Sequence, residues 1–139
     1  MTKSYDQVRR GASLVDGRLG RRLIGGVFVV AGLGKFSDRI EDLPATLDAA
    51  AAANAAGPLS RPTGWLASRP RTVALVVGVP MVATGVAQLS GRSSRLAAAT
   101  QLGLLAGFSL FLHGSHPAVL PVDAAFAAAI VATHREGGR

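Results

Sequence analysis

Four residues are of the types that carry proton or ligand chemistry and stand where the pattern of the chain would gather them: Lys35, His113, His116 and Asp123. Lys35 closes a first apolar stretch, His113 closes a third, His116 lies in the turn that follows, and Asp123 stands early in a fourth. If the stretches are antiparallel helices, all four residues reach the same end of the bundle. Asp123 lies about five residues into its helix, hence roughly 7 to 8 Å deep at 1.5 Å per residue. A carboxylate at such depth in a membrane must be paired, neutralised or wetted, and ionisable groups there are candidates for function. Lys35 is the expected partner of Asp123, and His113 or His116 would offer a proton-transfer or ligand group to a quinone-like headgroup. A structural ion pair beside two interfacial histidines is the simpler reading of the same residues.

Other chemistries are poorly served. His113 and His116 are three apart, but Gly114 and Pro117 break helical geometry and Asp123 would bring the ligands only to three, so no metal site is assigned. The run AGLGKF lacks the earlier glycine and the Ser or Thr of a phosphate-binding loop, since Val29 and Phe36 stand in those places. The chain has no cysteine, which removes disulfides, thiol catalysis and thiolate ligation, so a redox role would need a partner or a bound cofactor. No cofactor is required by the sequence; a quinone is the one the outer residues would suit.

The elements that must position these residues are apolar. Of 139 residues, 49% are hydrophobic and only 5% aromatic, with alanine, leucine, valine and glycine supplying the apolarity. A soluble domain of this size could bury one such helix but lacks the amphipathic elements to cover four. The expected fold is all-α: a polytopic membrane protein with four transmembrane helices, over about 19–36, 72–90, 96–112 and 118–133, in a compact bundle. Thr72 to Ser90 carries no charge over 19 residues, close to the roughly 20 that cross a hydrocarbon core of about 30 Å. Residues 1–18 read as a polar cytoplasmic tail and 135–139 as a second, leaving 19–134 as the transmembrane domain. In the first loop Asp42 to Ala56 reads as a short extra helix with Pro44 in its first turn, followed by a turn-rich return in which Trp65 would anchor at the interface. Pro80 should kink the second span.

A net charge of +7 in a soluble protein would suggest nucleic acid, but the arginines border the apolar stretches and no nucleic-acid motif is present, so the expected partners are the lipid bilayer and other integral membrane proteins, or further copies of this chain. With the N-terminus inside, ten Lys and Arg fall on the cytoplasmic side and five outside, which places both termini in the cytoplasm of a multi-pass plasma-membrane protein. Membrane helices associate through close approach of small residues. Ala99, Gly103 and Gly107 on the third span, Ala124, Ala128 and Ala132 on the fourth, and Gly25 and Gly32 on the first are the expected packing positions, and Thr84 and Gln88 should hydrogen-bond between helices.

The first span and its exit, RRLIGGVFVVAGLGKFSD from Arg21 to Asp38, resemble the opening helix of DoxX-like membrane proteins, where an arginine precedes a Gly-rich helix ending in a G-x-G-K element. Gly32, Gly34 and Lys35 carry the likeness, and four helices, a short helix after the first and a close final hairpin fit the same layout. The alanine-rich first loop and Asp123 depart from it. The resemblance implies an integral membrane subunit or accessory protein of a respiratory or redox complex, or of membrane-protein assembly, and more distantly a small quinone-binding oxidoreductase component. The thiol pair of four-helix quinone reductases is absent.

Overall fold

The computed structural model describes the backbone of residues 2–92 and 94–136 and the side chains of residues 17–92 and 94–135. The described residues form six helices and no strand: α1 (Thr2–Gly34), α2 (Leu43–Ala53), α3 (Ser60–Ala67), α4 (Pro70–Leu89), α5 (Arg95–Leu112) and α6 (Val119–Glu136). α4 and α5 are the two that are long and apolar enough to cross a membrane, and they coincide within two residues with the expected second and third spans.

The ends of the chain differ from expectation. α1 is one continuous helix of 33 residues, about 50 Å at 1.5 Å per residue, so the segment read as a polar tail continues the first span without a break. No proline interrupts it, and its polar first half keeps the backbone helical while lacking the apolarity of a span. α6 likewise runs past Thr133 to Glu136; residues 137–139 of the expected second tail lie outside the described residues.

In the first loop Asp42 caps α2 by accepting from the Ala45 amide at 3.1 Å, with Pro44 in the first turn. The return expected to be turn-rich instead contains α3, because Pro62 falls in a first turn, where its missing N–H costs nothing. Thr63, buried, donates its hydroxyl to the Leu59 carbonyl at 2.7 Å. Before Pro80, α4 passes through a π-helical turn at Ala74–Gly78. The wider turn accommodates a ring that would otherwise press on the carbonyl one turn earlier.

α1 lies against α4 and α6, and α5 closes the bundle against α6 and α4. Ile24, Phe28, Met81, Ala98, Leu105 and Ile130 form the central core, one or two residues from each of these four helices. A second cluster, Leu43 and Leu47 with Val73 and Ala74, docks α2 on the first turns of α4. The α1–α4 contact is the closest. A Cβ added at Gly85 would stand 2.6 Å from the Gly25 carbonyl oxygen, and one at Gly32 would stand 2.9 Å from that of Gly78. Gly25 and Gly32 thus meet Gly85 and Gly78, a matching pair with the same seven-residue spacing on the antiparallel helix, and the two backbones touch.

The expected packing role of the third span is corrected. A Cβ added at Gly103 or Gly107 meets nothing within 4 Å, and Ala99 is exposed. α5 packs instead through Ala98, Gln101 and Leu105, at spacings of three and four that mark one helical face. On α6, Ala124, Ala128 and Ala132 are all exposed while Asp123, Ile130 and Thr133 turn inward. Bulk decides the face here: Ile130, Leu105 and the two glutamines fill volume that alanine and glycine leave empty.

Candidate functional site: an apolar cavity beside a lysine–glutamate pair

Near the turn that joins them α4 and α5 are clasped by a reciprocal amide pair. Gln88 Nε2 donates to Gln101 Oε1 at 2.8 Å and Gln101 Nε2 donates to Gln88 Oε1 at 3.1 Å, with Thr84 Oγ1 3.4 Å from Gln101 Nε2. Both glutamines are buried, at 1% and 0% exposure, so each amide satisfies the other where no water can. Towards the opposite ends a cavity of about 190 Å³ lies between the two helices. Val73 and Val77 of α4 wall one side, Gly103, Gly107, Phe108 and Phe111 of α5 the other, and Leu43, Leu47 and Leu66 of α2 and α3 roof it. Gly103 and Gly107 therefore act by omission: without a Cβ they leave the space open.

The polar wall of the cavity is supplied by Lys35 and Glu41. α1 ends in a turn that bonds the Lys35 amide to the Gly32 carbonyl at 3.2 Å, which carries the lysine over the bundle. Its Nζ donates to both oxygens of Glu41, at 2.5 and 2.6 Å, and stands 5.2 Å from the centre of the Phe108 ring. With the lysine side chain only 10% exposed, this bidentate, partly buried pair is stronger than a surface ion pair. A ligand entering the cavity would meet an ammonium with its charge balanced, over an aromatic face, at one end of an apolar chamber. An apolar cavity of about 150 Å³ holds a benzene molecule, so this one is of a size for a single substituted ring.

Of the four residues expected to form an outer pocket, the structure brings Lys35 alone to the cavity. The expected partner of Asp123 was Lys35, but Lys35 is taken by Glu41, six residues on along the same turn. Asp123 faces α5 instead: it is 8% exposed and accepts from the Ser109 hydroxyl at 2.9 Å. His113 is exposed, with Nδ1 3.0 Å from the Ser109 carbonyl oxygen and 3.1 Å from that of Leu110 on its own helix. His116, also exposed, has Nδ1 3.0 Å from the Ser115 hydroxyl. No group of three or more His, Cys, Asp or Glu with metal-binding proximity occurs among the described residues. Trp65 is half-exposed, with the Arg69 guanidinium 4.7 Å over its ring.

Sequence reasoning missed Ser109, Gln101 and Glu41. A signal existed for the first two. Ser109 and Asp123 are equidistant from His116 in the α5–α6 turn, and Gln88 and Gln101 flank the α4–α5 turn in the same way, which is where antiparallel helices place partners. Glu41 gave no periodic signal, since it lies in an irregular connection.

Residues 19–136 match a family described as a family of unknown function (DUF6041). The chain belongs to that family. The matched region begins in α1 and takes in the cavity, the Lys35–Glu41 pair and the glutamine clasp, so the arrangement described above lies wholly within the DUF6041 region. This DUF6041 protein is also 34% identical over 110 residues to Oxidoreductase PigB of Serratia sp. (strain ATCC 39006). That match covers 78% of this chain and 16% of the relative, so the chain spans about one sixth of the length of the oxidoreductase it resembles. No solved structure matches it.

Proposed function

We propose that this protein is a membrane-embedded helical module of an oxidoreductase system, acting through contacts with other integral membrane proteins rather than as a self-sufficient catalyst. The observation that carries the reading is the partial match: most of this chain corresponds to a small segment of a much longer protein named an oxidoreductase. A segment of that kind, without cysteine, is suited to holding, anchoring or feeding a redox centre located elsewhere. The module crosses the bilayer with α1, α4, α5 and α6, both termini in the cytoplasm. Two apolar helices, the glycine contact of α1 with α4 and the buried position of Ile130 on α6 support four spans. The DoxX-like likeness of Gly32, Gly34 and Lys35 belongs to the same proposal, as does residence in the plasma membrane.

The cavity favours a second reading, in which the module binds a quinone-like ring, with Lys35 donating to a ring carbonyl and the apolar walls taking the ring and its tail. Native mass spectrometry of the protein extracted gently from its own membrane tests both. A stoichiometric redox protein in the complex is the expected result. A protein that emerges alone, with a retained ring compound, would replace the first reading by the second; one that emerges alone and empty would remove both.

A further inference from the structure

The charge of the molecule is concentrated at one end. Assigning the described residues by the ends of the helices and turns on which they fall, the end bearing the start of α1, the α4–α5 turn and the close of α6 has nine basic and three acidic residues, and the opposite end five of each. The excess of basic over acidic groups among the described residues, nine against three, therefore lies wholly at the inner end. Arg18, Arg21, Arg22, Arg92, Arg95 and Arg135 make no ion pair among the described residues, where the one ion pair is Lys35–Glu41 at the other end. Guanidinium groups that outnumber the carboxylates at one end of the molecule attract anions.

Two of them head a groove. Between the inner ends of α5 and α6 runs a cleft of about 480 Å³ whose floor is apolar, made by Ala99, Leu102, Ile130 and Val131, and whose mouth is flanked by Arg95 and Arg135. His134 also lines it, with Nδ1 3.1 Å from the Ile130 carbonyl oxygen. The start of α5 lies at the same mouth, where the Ala97 amide is capped by the Ser94 hydroxyl at 3.1 Å and the positive end of the helix dipole adds to the arginines. An anion-binding head on an apolar trough has the amphipathic outline of a phospholipid rather than of a free ion. From this we infer that the α5–α6 groove is a seat for one anionic phospholipid, its phosphodiester held by Arg95 and Arg135 and an acyl chain lying along Ala99, Leu102 and Val131. The inference rests on the membrane reading above, and it adds a ligand that neither the family nor the relative assigns.

The test uses the full chain. Retention in the membrane pellet after a carbonate wash is recorded first, because release there would overturn the membrane reading and the lipid seat together. Retained protein is then purified in detergent and titrated with phosphatidylglycerol, with phosphatidylcholine and with inorganic phosphate, bound lipid being counted by native mass spectrometry. One phosphatidylglycerol per chain should saturate, with phosphatidylcholine at least about tenfold weaker, and millimolar phosphate should not displace it. At roughly fivefold per basic side chain near an anionic surface, the Arg95→Gln/Arg135→Gln double variant should bind about tenfold to thirtyfold more weakly. Ala99→Phe, which fills the trough without changing charge, should weaken it as well. Equal binding of the two lipids, displacement by phosphate, or an Ala99→Phe variant that binds like the parent would each overturn the seat, the last by reducing it to attraction by charge alone. All three positions are exposed, so the variants fold.

Discussion

Replacing Gly85 by alanine should loosen the bundle, and the cost can be isolated by comparing it with the same replacement at Gly107. Both glycines lie inside helices, so the gain in helix propensity, about 0.5 to 1 kcal/mol, is common to the two and cancels in the difference. What remains is space. The new methyl at position 85 would stand 2.6 Å from the Gly25 carbonyl oxygen and 2.9 Å from the Val29 amide nitrogen, both backbone atoms that no rotamer change can move. At position 107 it would meet nothing within 4 Å. Overpacking costs about 1 to 3 kcal/mol, and a clash with backbone belongs at the upper end of that range. Gly85→Ala should therefore unfold about 2 to 3 kcal/mol more easily than Gly107→Ala in a reversible detergent-denaturation titration followed by circular dichroism. Equal unfolding of the two variants, within about 0.5 kcal/mol, would refute the assignment of α1–α4 as the closest helix contact.

Other outcomes follow from the same geometry. Gln88→Leu strands the Gln101 amide in a dry interior and should cost about 1 to 3 kcal/mol in the same titration, whereas Gln88→Leu with Gln101→Leu should recover most of the loss, because a paired apolar contact leaves no group unsatisfied. Gly107→Leu should fill the cavity between α4 and α5, abolishing retention of an added ubiquinone analogue in native mass spectra while unfolding within about 1 kcal/mol of the parent. Asp123→Asn keeps an acceptor for the Ser109 hydroxyl and should leave abundance in the membrane unchanged, while Asp123→Ala, which removes it, should lower stability by about 1 kcal/mol. If Asp123→Asn instead abolishes a redox activity of the assembled complex with abundance intact, Asp123 is a proton-handling group and not a helix clasp.

Helical class, the two apolar spans and the capped start of α2 were legible in the chain itself, because each depends on contiguous residues: an uncharged run, or an aspartate followed by a proline in a first turn. The glycines of α1 were legible too, by their spacing, though their partners Gly78 and Gly85 were not singled out. Periodicity failed where several faces of one helix carry small residues. Ala99, Gly103 and Gly107 form as regular a stripe as Gly25 and Gly32, yet they border open space, because α5 is oriented by its glutamine and leucine and not by its glycines.

The site divides along the same line. Composition alone determined that no thiol chemistry is available, and the order of the chain divided the Lys and Arg ten to five between the two expected sides. Which carboxylate Lys35 would meet was decided only in three dimensions. Asp123 has the more conspicuous position in the sequence, but Glu41 is brought onto the lysine by the turn that leaves α1, and a short connection costs less ordering entropy than a contact across the bundle. The cavity is likewise tertiary. It exists because α4 and α5 are clasped at one end by Gln88 and Gln101 and roofed at the other by α2 and α3, an arrangement of four elements that no local run of residues encodes.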